Sequence, residues 1–335
     1  MANLPELEGT ESAIVSSVGQ RHSRIPGVDA VRATSGFQRG MLIFGAVIVV
    51  FFGVVAAFAS VIAPYAFNAD RTKSGHIFGR LVAPSKDHLM GTAQGGEDVF
   101  SRLVWGAQTA MEVILLAVAF SIVIGVPLGL LSGYFGGILD RVLVLVTDAL
   151  FAFPSLLLAI IVSIAIAGGS GSTTGGILSA AISITVVYVP QYFRVVRNAT
   201  VATREEPYVE AARTLGARPF AIMTRYIFGN VVQTVPVIAT LNAGDAILTL
   251  AGLGFLGYGI EPSQGAEWGH DLSKAISDTS NGIWWTGVYP GVAIALLVLG
   301  VTLVGESLND VLNPLLRTTK VSKVVLPSAT TEPSA

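Results

Sequence analysis

The sequence predicts an all-α, multi-pass membrane protein, and three observations carry that expectation. Of 335 residues, 52% are hydrophobic and only 13% are charged, against about 25% charged in an ordinary soluble domain. The apolar residues gather into six runs, each long enough for the roughly 20 helical residues that a bilayer core requires. If these runs alternate in direction, 14 of the 20 Lys and Arg residues fall on one side, the asymmetry of cytoplasmic loops.

In chain order the expected spans cover residues 41–63, 109–132, 139–167, 176–196, 228–256 and 287–311. The fifth is diluted by Gln233, Asn242 and Asp245. The basic residues that set the orientation lie at 21–39, at Arg141, from Arg194 to Arg225 and from Arg317 to Lys323. Both termini are therefore expected in the cytoplasm. Residues 1–37 and 318–335, rich in Ser, Gly, Pro and charge, read as disordered tails. Residues 1–40 contain no early apolar core, so no cleavable signal is expected. Between the tails, 38–108 supplies a first transmembrane helix with a long extracytoplasmic loop, and 109–317 a five-helix core. The absence of cysteine excludes disulfides and thiolate metal sites, and no other metal site is expected. A net charge of −2 gives no electrostatic footprint for nucleic acid.

The segment 197–226, between the fourth and fifth spans, carries the most information. It reads Thr203-Arg-Glu-Glu-Pro207-Tyr-Val-Glu210-Ala-Ala-Arg-Thr-Leu-Gly216-Ala-Arg-Pro219-Phe. Pro207 suits a first helical turn, where its missing N–H has no partner to lose. Thr203 with Glu206, or Glu206 alone, can cap that start. Gly216 stands where a helix ends in a left-handed residue, and Pro219 opens the next helix. Ala211 and Ala212 would leave a flat face for close approach by another protein, with Glu210 beside them for a partner's cation.

Glu210-Ala211-Ala212, three residues and then Gly216 resemble the EAA loop of importer permeases of the ATP-binding-cassette class. The family continues nine residues past the glycine with Ile-x-Leu-Pro; here Tyr226-Ile227-Phe228-Gly229 stands at that spacing, so the Leu is Phe and the Pro is absent. Residues 84–105, with Pro84-Ser85, His88, Gly91-Thr92, Gly96, Asp98-Val99 and Ser101-Arg102, resemble the first outer loop of the dipeptide and oligopeptide subfamily, with Ala93 and Glu97 in place of the usual Asp and Arg. Gly133-Tyr-Phe-Gly-Gly137, Asp140-Arg141, Asp148, Leu253-Gly-Phe-Leu-Gly257, Trp268-Gly269, Pro290-Gly291 and Gly305-Glu306 through Asn313-Pro314 continue the likeness. It runs from about 40 to 317, and the long outer loop is typical of the C-type permease.

The resemblance implies a six-helix type I importer permease fold with a cytoplasmic coupling helix. It implies the permease subunit of an ATP-driven importer of dipeptides or oligopeptides in a bacterial inner membrane. Implied partners are a second homologous permease, two ATPase subunits, an extracytoplasmic substrate-binding protein and the surrounding lipid. ATP and Mg²⁺ would sit on the ATPases, with no cofactor on this chain. Glu210, Ala211, Ala212 and Gly216, with Arg213 and Tyr208 beside them, would form the ATPase-coupling surface. The same motifs serve nickel, glutathione and oligosaccharide permeases, so cargo stays open.

Charges inside spans are the remaining candidates. Asp148 lies seven residues past Arg141, roughly on one helix face, where the two could form a structural pair. Asp245 sits midway along the fifth span, able to meet a substrate ammonium group, pore water or a neighbouring helix. Glu306 falls near the inner end of the sixth, where packing or an interface is expected. Gly125, Gly129 and Gly133 recur every fourth residue and read as a helix-packing seam, with a kink at Pro127. Pro154, Pro190 and Pro236 read as packing features too, and the run 252–259 could leave room for a gate. Gly168-Gly-Ser170-Gly171 has the G-x-S-G spacing of rhomboid-type intramembrane proteases, but none of His22, His76, His88 and His270 lies in an expected helix to serve as its base. No P-loop is present to cradle ATP. A secondary transporter, the alternative class, would need paired discontinuous helices and an ionic relay that so little charge does not supply.

Overall fold

Without water to satisfy the backbone, an apolar segment must pair its N–H and C=O groups internally, and the α-helix does so. The structure, a computed structural model, describes residues 36–71, 75–169 and 176–312. The expected tails outside 36–312, the Ser170 segment and Asn313-Pro314 lie outside the described residues. Among the described residues there is no strand, only isolated bridges joining Arg71 to Ile77 and Thr92 to Asp98.

The helices are α1 (Gly36–Ala57), α2 (Ala59–Ile62), α3 (Val99–Phe135), α4 (Gly137–Phe151), α5 (Ser155–Gly169) and α6 (Gly176–Arg204). They continue with α7 (Pro207–Thr214), α8 (Pro219–Ala221), α9 (Phe228–Val231), α10 (Val235–Phe255), α11 (Trp268–Ser280) and α12 (Trp285–Leu312). A π-helical turn, Ile222–Ile227, and a 3₁₀ turn, Val232–Thr234, join α8 to α10 as one membrane-length path, Pro219–Phe255. With α1, α3, α6 and α12 this makes five segments long and apolar enough to cross a membrane. The pair α4 and α5, bent by 99° at the break between them, passes the same test only when the two are taken together as one broken span.

Three elements differ from expectation. The third span is not one helix: it breaks at Ala152-Phe153-Pro154. Pro154 lacks an N–H to continue the ladder and disfavours helical geometry in the residue before it. The second span begins ten residues earlier than expected, at Val99, because Asp98 caps it by accepting the Ser101 N–H at 2.8 Å. At 37 residues, about 55 Å, α3 exceeds a bilayer core of about 30 Å, and it runs unbroken through Pro127. Finally, α11 was not expected; it is an amphipathic helix between the last two spans. His270 therefore lies in a helix after all, though not in a span.

The core is built on α3 against α6, the most extensive helix contact in the structure. A Cβ added at Gly125, Gly129 or Gly133 would lie 2.7 Å from Tyr192 Cβ, the Phe193 carbonyl oxygen or Thr200 Cβ of α6. Three glycines on one stripe thus bring two backbones together, as the every-fourth-residue spacing suggests. The apolar side chains of Tyr192, Phe193 and Val196 are fully shielded behind them. Helix α1 joins the bundle at a smaller version of the same device, Gly45 against Gly300 of α12, and leaves Ile43, Phe44, Val47, Val50 and Phe51 exposed to lipid.

Replacing Gly129 by Val should cost about 1–3 kcal/mol, because a backbone carbonyl cannot move aside for the new methyl groups. Gly53→Ala on α1, where nothing lies within 4 Å of the added Cβ, should be neutral. Thermal unfolding of the two variants in one detergent compares them directly.

Candidate functional site

At one end of the bundle, α7 stands between two spans and is held by its own ends. Glu206 occupies the N-cap and Pro207 the first turn. The expected side-chain cap is not made; the Glu206 N–H instead donates to the Thr203 carbonyl at 3.2 Å. At the other end Gly216 has φ +82°. The Gly216 N–H donates to the Arg213 carbonyl at 3.0 Å and the Ala217 N–H to the Ala212 carbonyl at 3.1 Å, a complete Schellman closure. Nothing lies within 4 Å of a Cβ built on Gly216, so backbone conformation alone demands glycine there.

The helix has two distinct faces. Val209 and Ala212 are buried, and α7 packs against the π-helical turn and the end of α6. Ala212 therefore does not share an open face with Ala211, as the sequence suggested; it fastens α7 to its own chain. Glu210, Ala211 and Arg213 point outward. Tyr208 is partly exposed, and its hydroxyl accepts from the Asn230 amide. Two residues not foreseen complete the surface: Leu215 is 87% exposed and Phe220 73%, on either side of the Gly216 turn. Apolar residues in a turn, off any helical period, are the signal that could have marked them. Arg204, at the end of α6, donates to the Gly133 and Tyr134 carbonyls at 3.2 and 3.1 Å, tying the base of α7 to the last turn of α3.

The span charges divide sharply. Asp140 receives Arg197 at 2.7 Å and also the Ser132 hydroxyl. Asp148 pairs with Arg194 of α6 at 2.9 Å, not with Arg141 on its own helix. Arg194 in turn lies 4.3 Å over the Phe151 ring. These pairs lash α4 to α6. Asp245, by contrast, is exposed on α10, and no side-chain partner for its carboxylate exists among the described residues. Glu306 is exposed near the end of α12.

At the opposite end, the motif residues close a polar knot. The Asp98 carboxylate accepts the Ser101 N–H and hydroxyl, each at 2.8 Å, and meets His88 Nδ1 at 2.9 Å. This His–Asp–Ser set has its serine on the aspartate rather than on the imidazole, so it is a structural clasp. Arg102 reaches Asp271 of α11 through Nε at 2.9 Å and the Phe67 carbonyl at 3.0 Å. Trp268 Nε1 donates to the Leu103 carbonyl at 3.1 Å and Trp285 Nε1 to that of Thr92 at 3.2 Å. Ala93 and Glu97 are joined by a backbone bond of 2.8 Å, so their departure from the family pattern leaves this turn intact. Glu267 caps α11, accepting the Gly269 and His270 N–H groups at 2.8 Å each. It is 3% exposed, and Gly254 is the space it occupies. The run 252–259 is thus the seat of this cap: Gly257, at φ +82°, closes α10 in the same way that Gly216 closes α7.

Burial pushes the Glu267 carboxyl up to about 7, against the two backbone bonds and Arg102 that favour its charged form. Burial also holds His270 below its usual value. Because folding raises the Glu267 pKa from 4.5, the folded chain binds more protons than the unfolded one between about 4.5 and 7, and this group's contribution to stability falls as pH rises through that window. His270, shifted down, works in the opposite sense near its own range, so the Glu267 effect is read as a difference. Glu267→Gln mimics the protonated acid. Between pH 5 and 8 the native chain should lose roughly 2–3 kcal/mol relative to this variant, measured by thermal unfolding in detergent at each pH.

Known proteins share this arrangement in sequence. The family model described as binding-protein-dependent transport system inner membrane component matches residues 125–318, more than half of the chain. A dipeptide transport system permease protein of Alkalihalophilus pseudofirmus is 36% identical over 82% of this chain and 86% of its own length. A glutathione transport system permease protein of Pectobacterium atrosepticum is 34% identical over 78% and 83%, and a putative peptide transport system permease protein of Brucella suis is 34% identical over 79% and 86%. Among solved structures, a chain of the inward facing MetNI methionine ABC transporter is similar at 23% identity and a TM-score of 0.49, over 63% of this chain and 94% of that one. With a family model over more than half of its length and relatives above 30% identity over most of it, the chain belongs to the inner membrane components of binding-protein-dependent transport systems, as a multi-pass permease subunit.

Proposed function

We propose that this chain is the non-catalytic, C-type permease of a peptide importer, forming half of a translocation pathway with a second homologous permease. Two ATPase subunits would bind ATP and Mg²⁺ and receive one coupling helix each; this chain itself carries no P-loop. An extracytoplasmic binding protein would deliver cargo at the knot end, and the α7 end together with both termini would lie in the cytoplasm. The basic residues from Arg194 to Arg225 support that orientation.

The observation that carries this reading is the construction of α7. Glu210, Ala211, Arg213, Leu215 and Phe220 face outward on a helix whose inner residues, Val209 and Ala212, are fully or nearly fully buried. A push on the outer face is therefore delivered to the π-helical turn and, through Pro219–Phe255, to a whole span. Peptide cargo rests on the relatives named for dipeptide and peptide transport; the glutathione permeases support a second reading, in which the cargo is a γ-linked tripeptide. Family membership displaces the ATPase-independent secondary transporter.

The test is uptake of a labelled dipeptide, and separately of glutathione, by the complete importer in proteoliposomes with ATP inside and binding protein outside. Gly216→Asp imposes a left-handed conformation on a residue with a Cβ, at about 1–2 kcal/mol. It should cut uptake tenfold or more while insertion and expression stay normal. Leu215→Asp places a charge on the apolar contact and should weaken copurification of the ATPases. Full uptake by well-expressed Gly216→Asp and Leu215→Asp importers would remove α7 from the coupling path.

A further inference from the structure

The side chain left over is Asp245. The other carboxylates within spans are engaged: Glu112 receives Gln108 at 2.8 Å, Asp140 receives Arg197 and Ser132, and Asp148 receives Arg194. Glu306, also exposed, lies near the end of α12 rather than at depth. Asp245 stands ten residues, about 15 Å, from the Phe255 end of its membrane-length path and farther from the Pro219 end, too deep for so short a side chain to reach the surface. The faces of α10 that carry Asn242, Ile247, Leu250 and Leu253 are buried within the subunit. Leu241, Asp245 and Leu248 share the uncovered face.

A carboxylate at this depth is costly against hydrocarbon and marks a substrate or ion path. The neighbouring hydroxyls do not engage it: Thr249 donates to the Asp245 main-chain carbonyl at 2.9 Å and meets Tyr188 Oη at 3.1 Å on the buried side of the helix. We infer that the Leu241–Asp245–Leu248 face lines the translocation pathway and that Asp245 is a selectivity residue for solutes bearing an ammonium group, drawing the cationic end of the cargo past mid-membrane. This rests on the permease reading and names the chemical class of its cargo. Charge complementarity selects the occupant: a lone carboxylate between two exposed leucines favours a cation carried on an apolar body, such as the N-terminus of a peptide, and disfavours an anion.

The chain has no cysteine, which opens a direct test. Leu248→Cys, one turn from Asp245, is made in the importer assembled with its partner subunits in membrane vesicles. It is reacted with methanethiosulfonates carrying either a trimethylammonium or a sulfonate group, with and without ATP, and labelling is read on this chain by mass spectrometry. The cationic reagent should react about tenfold faster in at least one nucleotide state, and the preference should collapse toward unity when Asp245→Asn is added. No labelling by either reagent in any state would mean that lipid or the second permease covers the face. Equal labelling by both with Asp245 present would mean a wet face without selection. Either result overturns the inference. Labelling does not depend on the cargo, so it can succeed while dipeptide uptake by the unaltered importer fails; in that case the pathway assignment stands and the peptide reading falls. In the converse case, with dipeptide uptake normal and labelling absent, the peptide reading stands and this inference falls.

Discussion

The close approach of α3 and α6 is the constraint on which the rest depends. Gly125, Gly129 and Gly133 remove three side chains from one stripe, and the two backbones settle against each other. Helices in lipid gain little from the hydrophobic effect on pairing, so van der Waals contact at this distance is the main adhesive available. The seam also sets position. It brings the end of α6 beside the end of α3, where Arg204 binds the Gly133 and Tyr134 carbonyls, and it aligns Arg194 and Arg197 to hold α4. Were the helices farther apart, α7 would begin from an unfixed base.

From that base, one path runs from the exposed surface of α7 to the far end of the bundle. A Schellman turn at Gly216 redirects the chain into the π-helical turn, α10 crosses, and a second Schellman turn at Gly257 delivers it to the cap of α11. The same device bounds the span at each end because each end needs an abrupt change of direction without unpaired carbonyls. The middle of the path is irregular, with π and 3₁₀ geometry between Ile222 and Thr234. Such stretches hold fewer regular i to i−4 bonds and are common at hinges. The knot end is the reverse: Asp98, Arg102 and Glu267 are buried and, with the partly buried Asp271, are bound by charge-assisted bonds. Buried charges of this kind are poor sources of stability but costly to disturb, which makes the knot a fixed frame against which the other end can move.

Much of this was legible locally. Apolar runs, the Gly216 turn, the glycine stripe and the EAA pattern are properties of neighbouring residues, and physics at that range is short and additive. What was not legible depends on distance in sequence. Asp148 was expected to pair with Arg141, seven positions away on its own helix, and pairs with Arg194 instead, because α4 lies against α6. Arg102 and Asp271 are 169 positions apart, and nothing near either names the other. Ala212 was placed on an open face because helical period says which residues share a side, not which side is covered. The break at Pro154 and the early start of α3 at Asp98 are different: both had local signals, a proline midway along the run 139–167 and an aspartate ahead of Val-x-Ser, which hydropathy alone outweighed.

The central claim is that this chain transmits work done by an external ATPase. It is tested most directly by isolating the tagged chain in mild detergent and identifying by mass spectrometry what accompanies it. The account expects a second permease and one or two ATPases with P-loops, retained by the native chain and lost when Leu215→Asp alters the α7 surface. A chain that comes alone, and stays alone after crosslinking in cells, would contradict it.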